Sequence, residues 1–147
     1  MTLLKKILLG LAAVAALFLV LFIMPVPVHS QVASITLDWT APGDDGASGT
    51  ASTYEMRWSS TKPDTTTTAA MNSWWAGATQ ATGMPAPLLA GTAQSKIVAG
   101  PFTTGATYYF VMRASDEVPN WSAYSNVAIK FLPDSLAPSR VIDLRTR

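Results

Sequence analysis

Three stretches of this chain alternate between apolar and polar side chains, and that two-residue period most limits the folds open to it. In Ser34-Ile35-Thr36-Leu37-Asp38-Trp39-Thr40 the apolar Ile35, Leu37 and Trp39 share one face, and Pro42-Gly43 ends the run. Tyr54-Glu55-Met56-Arg57-Trp58 repeats the pattern with Tyr54, Met56 and Trp58 inward and the charged pair outward. Thr107 to Ser115 is the longest such run, with Tyr108, Phe110, Met112 and Ala114 on one face. Weaker strands are expected at Gln94 to Ala99, around Ile97, and at Ala123 to Phe131, where Tyr124, Val127, Ile129 and Phe131 are apolar. Between them lie a polar loop, Thr65 to Thr68, a short helical turn over Ala69 to Gly77, and a proline-bearing connection, Gly83 to Gly91. Short strands separated by turn signals, with no long helical period, predict an all-β antiparallel sandwich.

The first thirty residues read as an export signal rather than as part of that sandwich. Lys5 and Lys6 precede an apolar run from Ile7 to Met24, followed by Pro25, Pro27 and Val28-His29-Ser30, which places cleavage between Ser30 and Gln31. A run of about 18 residues is also long enough for a retained anchor, so membrane contact is expected only through an uncleaved signal. The expected location is secreted or at the cell surface.

Removing residues 1–30 narrows the chemistry. His29 is the single histidine and there is no cysteine, so residues 31–147 contain neither, and their net charge is −1. A Ser-His-Asp triad, a Cys-His pair and a histidine- or thiolate-ligated metal are thereby excluded. Nucleic acid would call for a basic face that this balance does not provide. Oxygen-only sites remain open, and Asp44, Asp45, Asp116 and Glu117, with Asn120, lie in two loops that follow strands ending at one pole. Calcium takes ~6–8 such oxygens; Gly43-Asp44-Asp45-Gly46 and Pro119-Asn120 also read as ordinary turns, in which Asp and Asn bond their own backbone. No other cofactor is expected. A glycosidase would need two carboxyls about 5–9.5 Å apart across a cleft, which a compact sandwich does not readily supply, so a non-enzymatic role is expected. Adjacent Trp74 and Trp75 point to opposite faces if that segment is extended, leaving one as a surface aromatic for a polysaccharide or protein, or as a cap on the sandwich.

Four ordered pieces resemble the fibronectin type III domain in its bacterial exported form. They are Leu37-Asp38-Trp39-Thr40-Ala41-Pro42-Gly43-Asp44-Asp45-Gly46, Tyr54-Glu55-Met56-Arg57-Trp58-Ser59, Gly105-Ala106-Thr107-Tyr108-Tyr109-Phe110, and Ala114 to Ser122 with Ser125-Asn126. The resemblance covers about Ile35 to Phe131 and implies an immunoglobulin-like sandwich with Tyr108 as a buried tyrosine corner. It also exposes a departure. The family opens with a strand ahead of the one holding Trp39, and here only Gln31 to Ala33 stand between the cleavage site and that strand. Ala137 to Arg147 look like the displaced first strand, with Val141, Ile142 and Leu144 as its apolar members.

The domain reading is therefore a signal over 1–30, a sandwich short of its first strand over 31–132, and a linker with a C-terminal strand over 133–147. Three arrangements account for the last segment: the start of a further domain in a longer protein, a strand folded back in cis, or a strand donated to the next copy. The expected function is a structural or adhesive module at the cell surface, assembling head-to-tail with itself. The alternative is a carbohydrate- or protein-binding module of a larger secreted protein, with neighbouring domains as partners.

Overall fold

A computed structural model of the chain describes residues 33–134, together with Ile142 and Arg145. The export signal, Val141 and Leu144 lie outside the described residues. The elements follow in the order β1 (Ala33–Thr40), β2 (Thr53–Ser59), α1 (Thr68–Gly77), β3 (Thr79–Gln80), β4 (Ala93–Phe102), β5 (Thr107–Ser115) and β6 (Ala128–Phe131). Among the described residues β1 and β4 form a two-stranded sheet, and β3-β2-β5-β6 form a four-stranded one, with every pairing antiparallel. The inward faces of β1, β2 and β5 are those that alternation predicts: Ile35, Met56, Trp58, Tyr108 and Phe110 are buried in one cluster, with Leu37 and Trp39 packed against it.

The centre of that cluster is Phe102, which is 0% exposed. Its ring centroid lies 4.8 Å from those of both Trp58 and Tyr108 and 6.1 Å from that of Phe110. Gly100 makes this possible, because a Cβ there would come within 2.9 Å of the Phe102 ring. The sequence pattern predicts a strand that ends at Ala99 and is centred on Ile97. In the structure β4 runs on to Phe102, Val98 is buried and Ile97 is 62% exposed. The pair Gly100-Pro101 looks like a stop signal, but the β1 register shifts there, from Ser34 opposite Ala99 to Ala33 opposite Phe102. Such a bulge accommodates a proline that has no N–H to donate.

A second correction concerns the last strand. Only Ala128–Phe131 is paired as β6, and Ile129 and Phe131 are 62% and 56% exposed. The preceding segment tracks β5 with a period of three instead of two. Ser122 and Ser125 donate their N–H groups to the carbonyls of Ala114 and Met112 at 2.8 and 2.9 Å, and their hydroxyls accept from the N–H groups of the same two residues at 3.1 and 3.0 Å. Trp121, Tyr124 and Val127 thus recur at the three-residue repeat of a polyproline-II helix. Tyr124 and Val127 pack beside Met71, Trp75 and Val111 on the outer side of the four-stranded sheet.

That side is covered because α1 is a full helix of 10 residues rather than a single turn. Thr67 caps it, its hydroxyl accepting from the Ala70 N–H at 3.1 Å. Met71 and Trp75, four residues apart, face the sheet and are buried.

Tyr108 closes the turn between β4 and β5. Its hydroxyl oxygen accepts from the Thr103 N–H at 2.9 Å and lies 3.2 Å from the Thr103 hydroxyl. Tyr108→Phe leaves that backbone N–H without its acceptor, and a loss of about 1–3 kcal/mol is expected in urea unfolding. A variant indistinguishable from the parent would remove the tyrosine from the account of stability.

The strand directions define two poles. At the proximal pole β1 and β5 begin and β4 and β6 end. Leu132 is fixed there, donating to the Ala106 carbonyl at 2.9 Å and accepting from the Gly105 N–H at 2.6 Å. Gly105 makes the tight turn with φ of 80°, open to glycine at little cost. The distal pole carries Thr40, the loop with Asp44 and Asp45, and the loop with Asp116 and Glu117.

Candidate functional site

The least finished part of the sandwich is the flank beside β1. Among the described residues β1 pairs on one side only, with β4, so its other edge presents the unpaired backbone groups that invite a further strand. A cleft of about 380 Å³ follows this edge between Asp38, Trp39 and Thr40 on one wall and Met112, Ser125 and Asn126 on the other. A smaller recess of about 100 Å³ continues inward between Leu37, Met56, Phe110 and Ala128. The floor is therefore apolar core and the rim is polar, and the alternating face of β1 supplies the core residues. Of the donor segment predicted from sequence the described residues are Ile142 and Arg145, and Ile142 is 83% exposed.

The acidic loops do meet at the distal pole. Burial raises the Asp44 pKa, and the charges of Glu117, Asp45 and Asp116 raise it further. Its Oδ1 is shielded from solvent and has no hydrogen-bond partner. Asp116 is committed to its own turn, where Oδ1 accepts from the N–H groups of Asn120 and Val118 at 2.8 and 3.0 Å and Oδ2 from the Asn120 amide at 2.6 Å. Those bonds, led by the Asn120 side chain, hold its carboxyl below the usual aspartate range. Among the described residues no group of three or more carboxylates is arranged to hold a metal ion, so the calcium expectation gains nothing from the geometry. Turn chemistry is expected of Pro119-Asn120, and these bonds tie Asn120 into a turn held by Asp116.

Because Asp44 titrates high in the native state, folding retains this proton above the ordinary aspartate pKa of ~3.9. The contribution of Asp44 to stability then declines as pH rises from that value through the raised one, against the opposite contributions of Glu55 and Asp116. Asp44→Asn is expected to flatten the decline and raise the melting temperature at pH 7, as thermal melts between pH 3 and 7 would record. An unchanged slope would remove Asp44 as its source.

On the outer side of the four-stranded sheet, Glu55 and Arg57 are not simply outward-facing charges. Glu55 is 8% exposed, and its two oxygens bind Arg57 and Arg113, each at 2.7 Å. Burial pushes its carboxyl up, but the hydrogen bonds and charges of Arg113 and Arg57 outweigh burial and hold it below the usual glutamate range. The two guanidinium groups lie over Trp75 at 5.2 and 4.8 Å, and Arg113 also lies over Trp121 at 4.1 Å. Trp75 is 5% exposed, so it is no surface aromatic. Trp74 stays partly accessible, its indole N–H donating to the Thr61 carbonyl at 2.7 Å. Among the described residues the exposed tryptophan is Trp121, at 40%, beside an open cleft of about 480 Å³ that reaches Thr68, Asn72 and Tyr124. Sequence reading missed this residue as a surface aromatic, although the three-residue spacing of Trp121, Tyr124 and Val127 signals the stacked face.

No family model matches the chain, and neither a curated protein nor a solved structure was found to be significantly similar to it.

Proposed function

We propose that the chain is an exported, non-enzymatic structural or adhesive module of the cell surface, a fibronectin type III-like sandwich that associates with copies of itself. The observation that carries this reading is the edge of β1 that pairs with no strand among the described residues, above an apolar cleft. The β1-β4 and β3-β2-β5-β6 arrangement and the Tyr108 corner support the family likeness. The basic and apolar leader supports export. The test is sedimentation of the full chain purified after export, across a range of concentrations. Concentration-dependent assembly is the expected result, and a monomer at every concentration would overturn the reading.

A second reading, a carbohydrate- or protein-binding module, is favoured by one observation, the exposed Trp121 beside a cleft lined by hydroxyl and amide groups. Stacking on aromatic side chains is worth about 0.5–1.5 kcal/mol beyond area for ring pairs. Trp121→Ala is expected to lose retention on polysaccharide-affinity gels by about tenfold under this reading. Equal retention of parent and variant would exclude a Trp121 platform.

A further inference from the structure

We propose that the β1 edge takes residues 139–145 of a second copy as an antiparallel strand that enters at the distal pole, where the acidic loops receive its Arg140. This rests on the self-association reading and adds its polarity, register and charge partner.

Direction comes first. Every strand pair in both sheets is antiparallel, and such pairs are slightly more stable per residue than parallel ones. A strand antiparallel to β1 must start beside Thr40, at the distal pole. The chain's own tail departs after Leu132, at the proximal pole. To fill its own cleft it would climb the length of β1, about 24 Å for eight residues, cross between the sheets, and then reverse. Leu132 to Arg140 spans about 26–29 Å when fully extended, which leaves nothing for the reversal. Ile142 at 83% exposed is likewise outside its own cleft. Handing the tail to a copy stacked beneath the proximal pole needs no reversal, since that copy offers its distal pole. The contact repeats without closing and builds a filament.

Register follows from alternation. Ile142 and Leu144 fall on one face of an extended tail. Placing Ile142 opposite Leu37 and Leu144 opposite Ile35 covers the accessible side of Leu37 and extends the apolar face that runs on to the buried Ile35. It sets Val141 opposite Asp38 and Asp143 opposite Thr36 on the outer face, and Arg140 opposite Trp39 at the entrance. A shift of two residues toward Thr40 would instead set Asp143 against Asp38, a like-charge pair.

Charge favours the same entrance. The tail carries Arg140, Arg145 and Arg147 against Asp143. The distal pole gathers Asp44, Asp45, Asp116 and Glu117, with Asp44 in the field of the other three. An arginine arriving there relieves a repulsion that the isolated sandwich retains.

The chain has no cysteine, so engineered pairs report cleanly. Directly opposed residues of an antiparallel pair have Cα atoms ~4.5–5.5 Å apart, inside the ~4.4–6.8 Å that a disulfide spans. Full chains carrying Thr36→Cys with Asp143→Cys, and separately Asp38→Cys with Val141→Cys, are oxidised after export and run without reductant. The expected result for at least one pair is a reducible ladder of dimers, trimers and higher species. Arg140→Glu should weaken assembly at least tenfold, and Asp45→Lys with Glu117→Lys should restore it. A disulfide confined to the monomer means fold-back in cis and overturns the proposal. Assembly without a ladder from either pair overturns the register and polarity while leaving self-association standing. Neither assembly nor ladder overturns both.

Discussion

Cutting the chain after Asp134 is expected to abolish the proposed self-association and to leave the sandwich folded. The reason lies in how the buried surface is distributed. The buried cluster around Phe102 and the strands that frame it all lie within residues 33–134, so the cut removes no core side chain and no ladder bond of the described sheets. What it removes are Ile142 and Leu144, each worth about 1.5–3 kcal/mol when fully buried, less the cost of ordering the tail. In the proposed assembly that burial occurs only in the neighbour, and the truncated chain sediments as a monomer at concentrations where the full chain does not. Adding a peptide of residues 137–147 to the truncated chain should then raise its melting temperature. At a hundredfold excess over Kd the gain is about 2.7 kcal/mol, or about 10 °C or more for a domain of this size. Truncated chain that assembles like the parent would show that the tail is not the connecting strand.

Phe102→Ala is expected to have the largest effect on folding. The ring is fully buried among Trp58, Tyr108 and Phe110, which belong to β2 and β5, so it ties the two-stranded sheet to the four-stranded one. Truncation removes about 3–5 kcal/mol through lost transfer energy and the cavity left behind. Single domains have only about 5–15 kcal/mol in total, so the variant should be partly unfolded near 37 °C, read as an early urea midpoint with an unchanged slope. The Gly100 site offers a cross-check, because Gly100→Ala pushes a methyl against the same ring and should destabilise without removing any apolar area. A Phe102→Ala protein as stable as the parent would mean that the sheets are held chiefly elsewhere.

Much of this architecture is legible from residue order because β1, β2 and β5 each bury one face and leave the other polar or partly covered. The period-two signal survives wherever the two faces differ. It fails in the places where a second contact competes. Val111 and Glu55 sit on the face that alternation assigns to solvent, yet both are buried, at 1% and 8% exposed, since α1 and its neighbours cover that face. The helix itself has a weak signature, being alanine-rich with Met71 and Trp75 as its only buried residues. Phe102 was hidden behind Gly100-Pro101, and the segment before β6 follows a period that suits neither helix nor strand. As for the candidate site, Ile35, Leu37 and Trp39 were readable as one apolar face and Ile142 and Leu144 as a spare strand. That Met112 and Ala128 form the facing wall was not readable.

The sequence by itself determined the all-β character, the inward faces of three strands and the absence of histidine and cysteine chemistry from residues 31–147, because periodicity and residue type are local properties. Tertiary structure alone decided that Trp75 is covered while Trp121 is exposed, and that Asp44 meets Glu117. It also placed the departing tail at one pole and the start of an antiparallel slot on β1 at the other. Those outcomes depend on which elements pack together, and packing is set by contacts between residues far apart in the chain, about which local pattern carries no information.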